Sequence, residues 1–364
     1  MDFSMSSAST RDSVPRPHPA GSAPQPFSGS DAAPRSGWSV LTGIQVLSTG
    51  SYVPPQIVTN ADLSSLGCDE QWILQRTGIR ERRKASAELA TSDLAREAAL
   101  DCLREANVQP RELDLIIVCT MTPDHATPST ACLLQNAIGA SCGAMDLNAA
   151  CSGFMYGLIT GGQFVRTGCA RRVLVVGADV MTRAIDPTDV KTYPLFGDGA
   201  AAVLLGAGDN SQGLLSYSLG SDGSGAALLN APGGGSREPL TPQTLAASRQ
   251  YMRMDGRPVF KWAVKLVEES LLGAMERAGV TSDEVAAVVL HQANSRILDA
   301  AVSDLGFGRD KVIMNLDRYG NTSAGSIPLV LDEAAKSGRI QRGDLVLLCG
   351  FGAGLTWGVG LMRW

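Results

Sequence analysis

Short apolar runs alternate with longer stretches of helical periodicity over most of the chain. Residues 42–48, 113–119, 144–148, 171–177 and 200–205 are rich in Val, Ile, Leu and small residues, and they predict strands. Helices are expected between them: 91–106 with Thr91-Ser92-Asp93 as its cap, 129–138, and the apolar stretch after Cys151 that ends near Gly168. The same order then returns. A strand at 284–290 leads to His291 and a helix reaching about Leu305, and a strand at 311–316 leads to Asn321 and a helix to about Ser337. A strand at 342–348 closes the unit, and a long helix is expected from Tyr251 to about Ala278. Cys151 and Asn321 stand at nearly equal distances from their next strands. Strands alternating with helices predict a parallel-rich sheet with helices on its faces, and the repetition predicts internal duplication.

The two halves are expected over residues 38–218 and 250–364. Residues 219–249 between them are rich in Gly, Ser and Pro, and they read as a mobile surface loop. Residues 1–37 carry Pro15, Pro17, Pro19, Pro24, Pro26 and Pro34 among Ser, Ala and Gly. Such a segment buries too little apolar surface to offset its ordering entropy, so it reads as a disordered extension. It has no basic start followed by an apolar core, unlike a secretory signal, and Asp2, Asp12 and Asp31 depart from the acid-poor pattern of a transit peptide.

Composition narrows the function classes. The chain has 364 residues, 44% hydrophobic and 18% charged, with net charge −5. That balance argues against a nucleic-acid partner, and no apolar run has the length and purity of a membrane span. The cysteines Cys68, Cys102, Cys119, Cys132, Cys142, Cys151, Cys169 and Cys349 are scattered, with no CxxC pair. That spacing fits neither a disulfide framework nor a zinc site and points to a reducing compartment; the expected setting is cytoplasmic, with no metal and no resident cofactor. Histidines are scarce: His18, His125 and His291.

Three places can carry chemistry. At 145–154 a strand-like entry ends in Ala149-Ala150, and Cys151 follows at the start of an apolar helix. A helix N-terminus favours an anion, whereas a free thiol of pKa near 8.5 is only about 3% thiolate at pH 7. The position suits a nucleophile, and equally a buried structural cysteine. His291 follows an apolar strand, where ligands dock in open α/β sheets, although a strand-end histidine also serves as a satisfied structural residue. Asn321 opens a helix in a polar turn and is also a plain cap candidate. The glycine-rich segment 350–358 lets a backbone approach a ligand, or simply turns the chain.

Taken together, residues 146–154, 196–200, 291–294, 319–326 and 350–358, with Arg76-Thr-Gly-Ile-Arg80-Glu-Arg82, resemble the β-ketoacyl-acyl-carrier-protein synthase III family in order and spacing. The resemblance spans about residues 42–364. It implies an α/β thiolase-like fold, two duplicated halves in a five-layer α-β-α-β-α arrangement, and a homodimer. It also implies that Cys151 accepts an acyl group from acyl-coenzyme A and that His291 and Asn321 hold the carbonyl of a malonyl thioester. The backbone N–H groups of Cys151 and Ala353 then form the oxyanion hole. Trp72, Arg76, Phe196, Phe260 and Arg296 become substrate-binding candidates, Trp72 by stacking on the adenine of coenzyme A. Thr127 matches a position that reaches across the dimer into the partner's acyl pocket, and its small size implies a medium or long primer.

The match has departures. The arginine expected on the adenine's other face is Val190, followed by Lys191. Ser303 and Asp304 replace residues that are commonly basic for carrier-protein docking, leaving Arg296, Lys261 and Lys265. The scarcity of histidine speaks against the Cys-His-His set of elongating enzymes, and Cys349 lies just before the place where a thiolase needs its second cysteine. The expected reaction is a decarboxylating Claisen condensation with a malonyl thioester on acyl carrier protein or coenzyme A, in fatty-acid or specialised biosynthesis. The alternatives are an acyltransferase moving an acyl group from Cys151 to an alcohol or amine, and a non-catalytic partner subunit.

Overall fold

Successive side chains of a strand face opposite sides of its sheet, and here both sides are covered. In the computed structural model, which describes residues 37–364, the chain opens with β1 (Ser39–Thr42) and β2 (Ile44–Tyr52). A ribbon of β3 (Gln56–Thr59) and β4 (Glu81–Lys84) brackets α1 (Glu70–Thr77). Then come α2 (Thr91–Glu105), β5 (Leu115–Cys119), α3 (Thr130–Ile138), β6 (Gly143–Leu147), α4 (Gly153–Arg166), β7 (Arg172–Asp179) and β8 (Gly199–Ala207). The second half begins with β9 (Gly213–Ser221) and a ribbon of β10 (Leu229–Asn230) and β11 (Arg253–Met254) that brackets α5 (Pro242–Ala246). It continues through α6 (Gly256–Ala278), β12 (Ala287–Leu290), α7 (Ser295–Val302), α8 (Leu316–Tyr319), α9 (Ser326–Lys336), β13 (Leu345–Gly352) and β14 (Thr356–Arg363).

Two five-stranded sheets result, ordered β2-β8-β7-β5-β6 and β1-β9-β14-β13-β12. In the first, β5 runs parallel to β7; in the second, β12 runs parallel to β13. Antiparallel partners extend both in the same sense, β7-β8-β2 against β13-β14-β9. The burial pattern explains the stack. Ile117, Val173 and Val175 of the first sheet and Val289, Val346 and Leu348 of the second share one core with Phe154 and Leu158 of α4 and Ile327 and Val330 of α9. The alternate residues Ile116, Val118 and Leu174 pack outward against α2 and α3, while Val288, Leu290 and Leu347 pack outward against α6 and α7. The expected five layers are therefore present, with α4 and α9 in the middle. Full burial of a side chain such as Phe154 contributes about 1.5–3 kcal/mol.

Several boundaries differ from the sequence expectation. Residues 311–316 form no strand: Val312 makes an isolated parallel bridge to Val288, and the chain turns into α8. The halves do not divide at 218, because β9 starts at Gly213 and joins β14, while β1 joins the far side of β9. A two-residue period looks the same whichever sheet receives the strand. Residues 219–249 are not a structureless loop. Arg249 makes a bidentate ion pair with Glu238 at 2.6 and 2.7 Å, and Gly233 N–H donates to the Arg249 carbonyl. That clasp joins residues too far apart for a local pattern to show. α6 starts at Gly256 rather than 251, since Arg253 and Met254 pair in β11. Thr91 does not cap α2; the Asp93 carboxylate accepts the Ala90 N–H at 2.9 Å, and the Thr91 hydroxyl donates to the Thr122 carbonyl. The extension expected at residues 1–37 lies, up to residue 36, outside the described residues. Among the described residues no helix is long and apolar enough to cross a membrane.

Candidate active site

Each inner helix starts from the same backbone device. Ala150 and Ser323 both adopt left-handed backbone, with φ of 48° and 52°. Each opens a short 3-10 turn, Ala150–Ser152 or Ser323–Gly325, that feeds α4 or α9. Two residues earlier stands an asparagine in both halves. Asn148 Oδ1 accepts the Ala150 N–H at 3.1 Å, and Asn321 Oδ1 accepts the Ser323 N–H at 2.8 Å. Left-handed backbone costs a non-glycine residue about 1–2 kcal/mol, so the surroundings must hold both turns in place. In this correspondence Cys151 matches Ala324.

The Asn321 bond settles the direction of its amide. With Oδ1 engaged, the NH2 group is left to donate. The Asn321 backbone is fixed as well: its N–H donates to the Leu195 carbonyl at 2.8 Å, and Gly197 N–H donates to its own carbonyl at 3.1 Å. That pairing sets Phe196 alongside Asn321.

His291 follows β12, and its N–H donates to the Cys349 carbonyl at 2.9 Å. The ring stands edge-on to Phe351, with centroids 5.2 Å apart. Ser326 Oγ lies 2.7 Å from Nδ1 and also accepts the Gln292 N–H at 3.4 Å. The Ser326 hydroxyl can give its proton to Nδ1, and in that tautomer the imidazole proton stands on Nε2 as a donor. Burial lowers the His291 pKa to about 3, so the ring is neutral at physiological pH.

Cys151 sits in the first 3-10 turn and is 7% exposed. Burial pushes its thiol up to about 12, opposed by the Ser323 hydroxyl and reinforced by the carboxylate of Asp179. The resting Cys151 side chain is therefore a protonated thiol, where the sequence position at a helix start had suggested a thiolate. The glycine segment is bound to this turn: Ser152 Oγ donates to the Ala149 carbonyl at 2.7 Å and lies 2.8 Å from Thr356 Oγ1. Thr356 Oγ1 also reaches the carbonyls of Ala149 and Ala353, at 3.0 and 2.8 Å.

One cleft of about 610 Å³ brings together Cys151, His291, Asn321 and Ala353 with Trp72, Arg76, Phe196, Phe260 and Arg296. Its mouth carries the Arg76 guanidinium 4.8 Å above the Trp72 ring and the Arg296 guanidinium 5.9 Å from the Phe260 ring. Val190 packs with Trp72 in a small apolar cluster. Thr127 is not in this cleft. It lines a separate depression of about 490 Å³ with His125, Asp146 and Asn148, beside β6. Sequence reasoning missed Ser326, the partner of His291, and the apolar wall formed by Met121, Leu229, Met252 and Met254. Ser326 was visible only as the last residue of the polar turn at 319–326; the methionines gave no signal.

Residues 145–223 match the family profile of 3-oxoacyl-[acyl-carrier-protein] synthase III, and residues 275–364 match that of its C-terminal part. The chain is 56% identical over 342 residues to the β-ketoacyl-[acyl-carrier-protein] synthase III of Rhodopirellula baltica, covering 89% of this chain and 99% of that protein. It is 46% identical over 326 residues to the enzyme of the same name from Desulfitobacterium hafniense, covering 89% and 98%. The crystal structure of 3-oxoacyl-[acyl-carrier-protein] synthase III from Aquifex aeolicus superposes with a TM-score of 0.82 at 42% identity, over 88% of this chain and 100% of that one. The priming β-ketosynthase of a polyketide pathway superposes at 0.81 with 34% identity, over 92% and 98%. With identity of this extent over nearly the full length of these relatives, and the duplicated fold in common, the chain belongs to the 3-oxoacyl-[acyl-carrier-protein] synthase III family of thiolase-like condensing enzymes.

Proposed function

We propose that this condensing enzyme joins an acyl group held on Cys151 to a malonyl thioester, with His291 and Asn321 as the decarboxylating pair. The observation that carries it is the meeting of a thiol and two neutral, oriented donors in one cleft. The Cys151 sulfur attacks the thioester carbonyl of acyl-coenzyme A; the thiol proton ends on the departing coenzyme A sulfur. Backbone N–H groups of Cys151 and Ala353 hold the tetrahedral oxyanion. Loss of CO2 from the malonyl thioester then leaves negative charge on its thioester oxygen. His291 Nε2 and the Asn321 NH2 meet that charge, and each such donor is worth about 3–4 kcal/mol. The carbanion attacks acyl-Cys151, a carbon–carbon bond forms, the carbon–sulfur bond breaks, a 3-oxoacyl thioester leaves, and the released Cys151 sulfur takes a proton from solvent to restore the thiol. Transfer to an alcohol or amine requires no such pair of donors.

The partners follow from the cleft. Trp72, Arg76, Phe260 and Arg296 at its mouth suit the coenzyme A or phosphopantetheine arm, and Arg296 with the exposed Lys261 suits an acidic acyl carrier protein. The methionine-rich wall suits a medium or long acyl chain, because the unbranched thioether side chain adapts to irregular apolar shapes. A homodimer is proposed on β6, which among the described residues pairs with β5 alone, leaving an edge for a second chain. Eight free thiols suit a reducing cytoplasm.

CO2 release from a malonyl thioester tests the central claim. Cys151→Ala is expected to retain decarboxylation while losing condensation, and Asn321→Ala to lower decarboxylation by about 10²–10³-fold. Unchanged CO2 release in Asn321→Ala would remove the role given to that residue.

A further inference from the structure

The duplication gives each left-handed turn a facing strand end. At the end of β13 stands Gly352, where a Cβ would lie 2.8 Å from the Cys151 nitrogen and 3.0 Å from its Cβ. The equivalent position at the end of β7 is Asp179. The glycines two residues earlier establish the correspondence: Gly350 packs against Ser152, and Gly177 against Ala324 and Gly325, the same step of the two turns. Asp179 is fully buried. Its Oδ1 accepts from Thr120 Oγ1 at 2.9 Å, Met121 N–H at 2.9 Å, Thr122 N–H at 3.1 Å and Thr122 Oγ1 at 2.9 Å. Its Oδ2 accepts the Ala324 N–H at 3.2 Å. Ala324 is the counterpart of Cys151, whose backbone packs so closely on Gly352 that a side chain there would press on it.

We infer that Asp179 is a positioning residue for the decarboxylating half of the reaction: its carboxylate fills the amide donors of the second turn and so fixes the segment from which Asn321 is held. The path is short. Asp179 anchors Ala324 N–H, and the adjacent Ser323 N–H orients the Asn321 amide. Ser323 needs that anchoring because its left-handed backbone relaxes unless its surroundings hold it. Against the first turn the strand end carries only Gly352; against its duplicate it carries the Asp179 carboxyl, which burial pushes toward the neutral acid and the hydrogen bonds from Met121, Thr122 and Thr120 pull back toward the carboxylate. The inference rests on the role proposed above for Asn321.

Asp179→Asn tests it, with Asp179→Ser as a smaller second variant. The asparagine must turn its NH2 group toward Ala324 N–H or toward the 120–122 turn, both of which are donors. CO2 release from malonyl-coenzyme A is expected to fall about tenfold or more, as displaced catalytic groups do. Acylation of Cys151 by acyl-coenzyme A, read by mass, is expected to hold. Alkylation of Cys151 by iodoacetamide at neutral pH is expected to accelerate, since Asp179 is among the groups that push the thiol pKa up. A purely structural role would depress all three together. Parallel loss of both half-reactions, slower alkylation, unchanged CO2 release, or failure of both variants to fold would each overturn the inference. Asn321→Ala in the same assay separates the two claims. Intact CO2 release there removes the role of Asn321 and this inference with it. Loss there beside intact release in Asp179→Asn removes this inference alone.

Discussion

His291 has exchanged water for the edge of Phe351 and the hydroxyl of Ser326, and burial lowers its pKa from 6.5 to about 3. A neutral ring donates through Nε2 without bringing a charge that would hold the malonyl carboxylate in place and oppose its loss as CO2. The same shift has a thermodynamic consequence. Below pH 6.5 the unfolded chain binds a proton that the folded chain refuses, so this group's contribution to stability is present above 6.5 and is lost as the pH falls toward about 3. The slope approaches about 1.4 kcal/mol per pH unit. Thermal unfolding of wild type and His291→Gln between pH 4 and 7 checks it: the wild-type Tm is expected to fall more steeply with acid, and parallel curves would contradict a neutral buried ring. Cys151, His291 and Asn321 were each ambiguous alone and became candidates only through the order and spacing of the segments that carry them. Their supports were not legible in this way. Ser326 meets His291 from 35 positions away, and Asp179 meets Ala324 from 145 positions away. Local spacing carries no trace of such pairs, and the sequence likewise could not show that Cys151 is buried deeply enough to hold its thiol protonated.

At the scale of elements, β13 is the strand whose end decides whether the nucleophile turn has room. Gly352 lies so close to Cys151 that a methyl group would press on its backbone nitrogen and Cβ. The turn cannot retreat easily, because Ser152 and Thr356 join it to the chain beyond β13. Gly352→Ala is therefore expected to displace Cys151 and lower its acylation by about 10²-fold, the scale of a small misplacement at a reacting centre. CO2 release, which the proposed mechanism assigns to His291 and Asn321, is expected to suffer less. Acylation at the wild-type rate, followed by mass, would show that the turn has slack. The elements themselves were largely readable from apolar patterning: β5, β7, α2 and α4 lie close to where the sequence put them. The pattern failed where pairing decides. Residues 311–316 look like a strand but contribute one bridge, and 219–249 look like loose chain but are clasped by Arg249 and Glu238.

At the scale of the whole molecule, the position of Thr127 separates a one-chain from a two-chain account of primer choice. Thr127 lies outside its own active-site cleft, in a depression beside the edge strand β6. If two chains pair along β6 as proposed, Thr127 borders the partner's acyl chamber, and a bulky residue there shortens the partner's primer rather than its own. Mixed dimers in which one chain carries Cys151→Ala leave a single live thiol and so read the effect directly. With Thr127→Phe on the inactive chain, acylation of the live Cys151 by decanoyl-coenzyme A is expected to fall, while acetyl-coenzyme A still reacts. With Thr127→Phe on the live chain itself, both donors are expected to react as in wild type. Forcing a ring into a filled site costs about 1–3 kcal/mol, enough for a roughly tenfold or larger loss with the long primer. Loss confined to the live chain's own Thr127→Phe would place the residue in its own cleft by some movement of the 121–129 segment. A strong preference of the wild-type enzyme for acetyl over decanoyl donors would instead remove the long-primer proposal, whatever the dimer does.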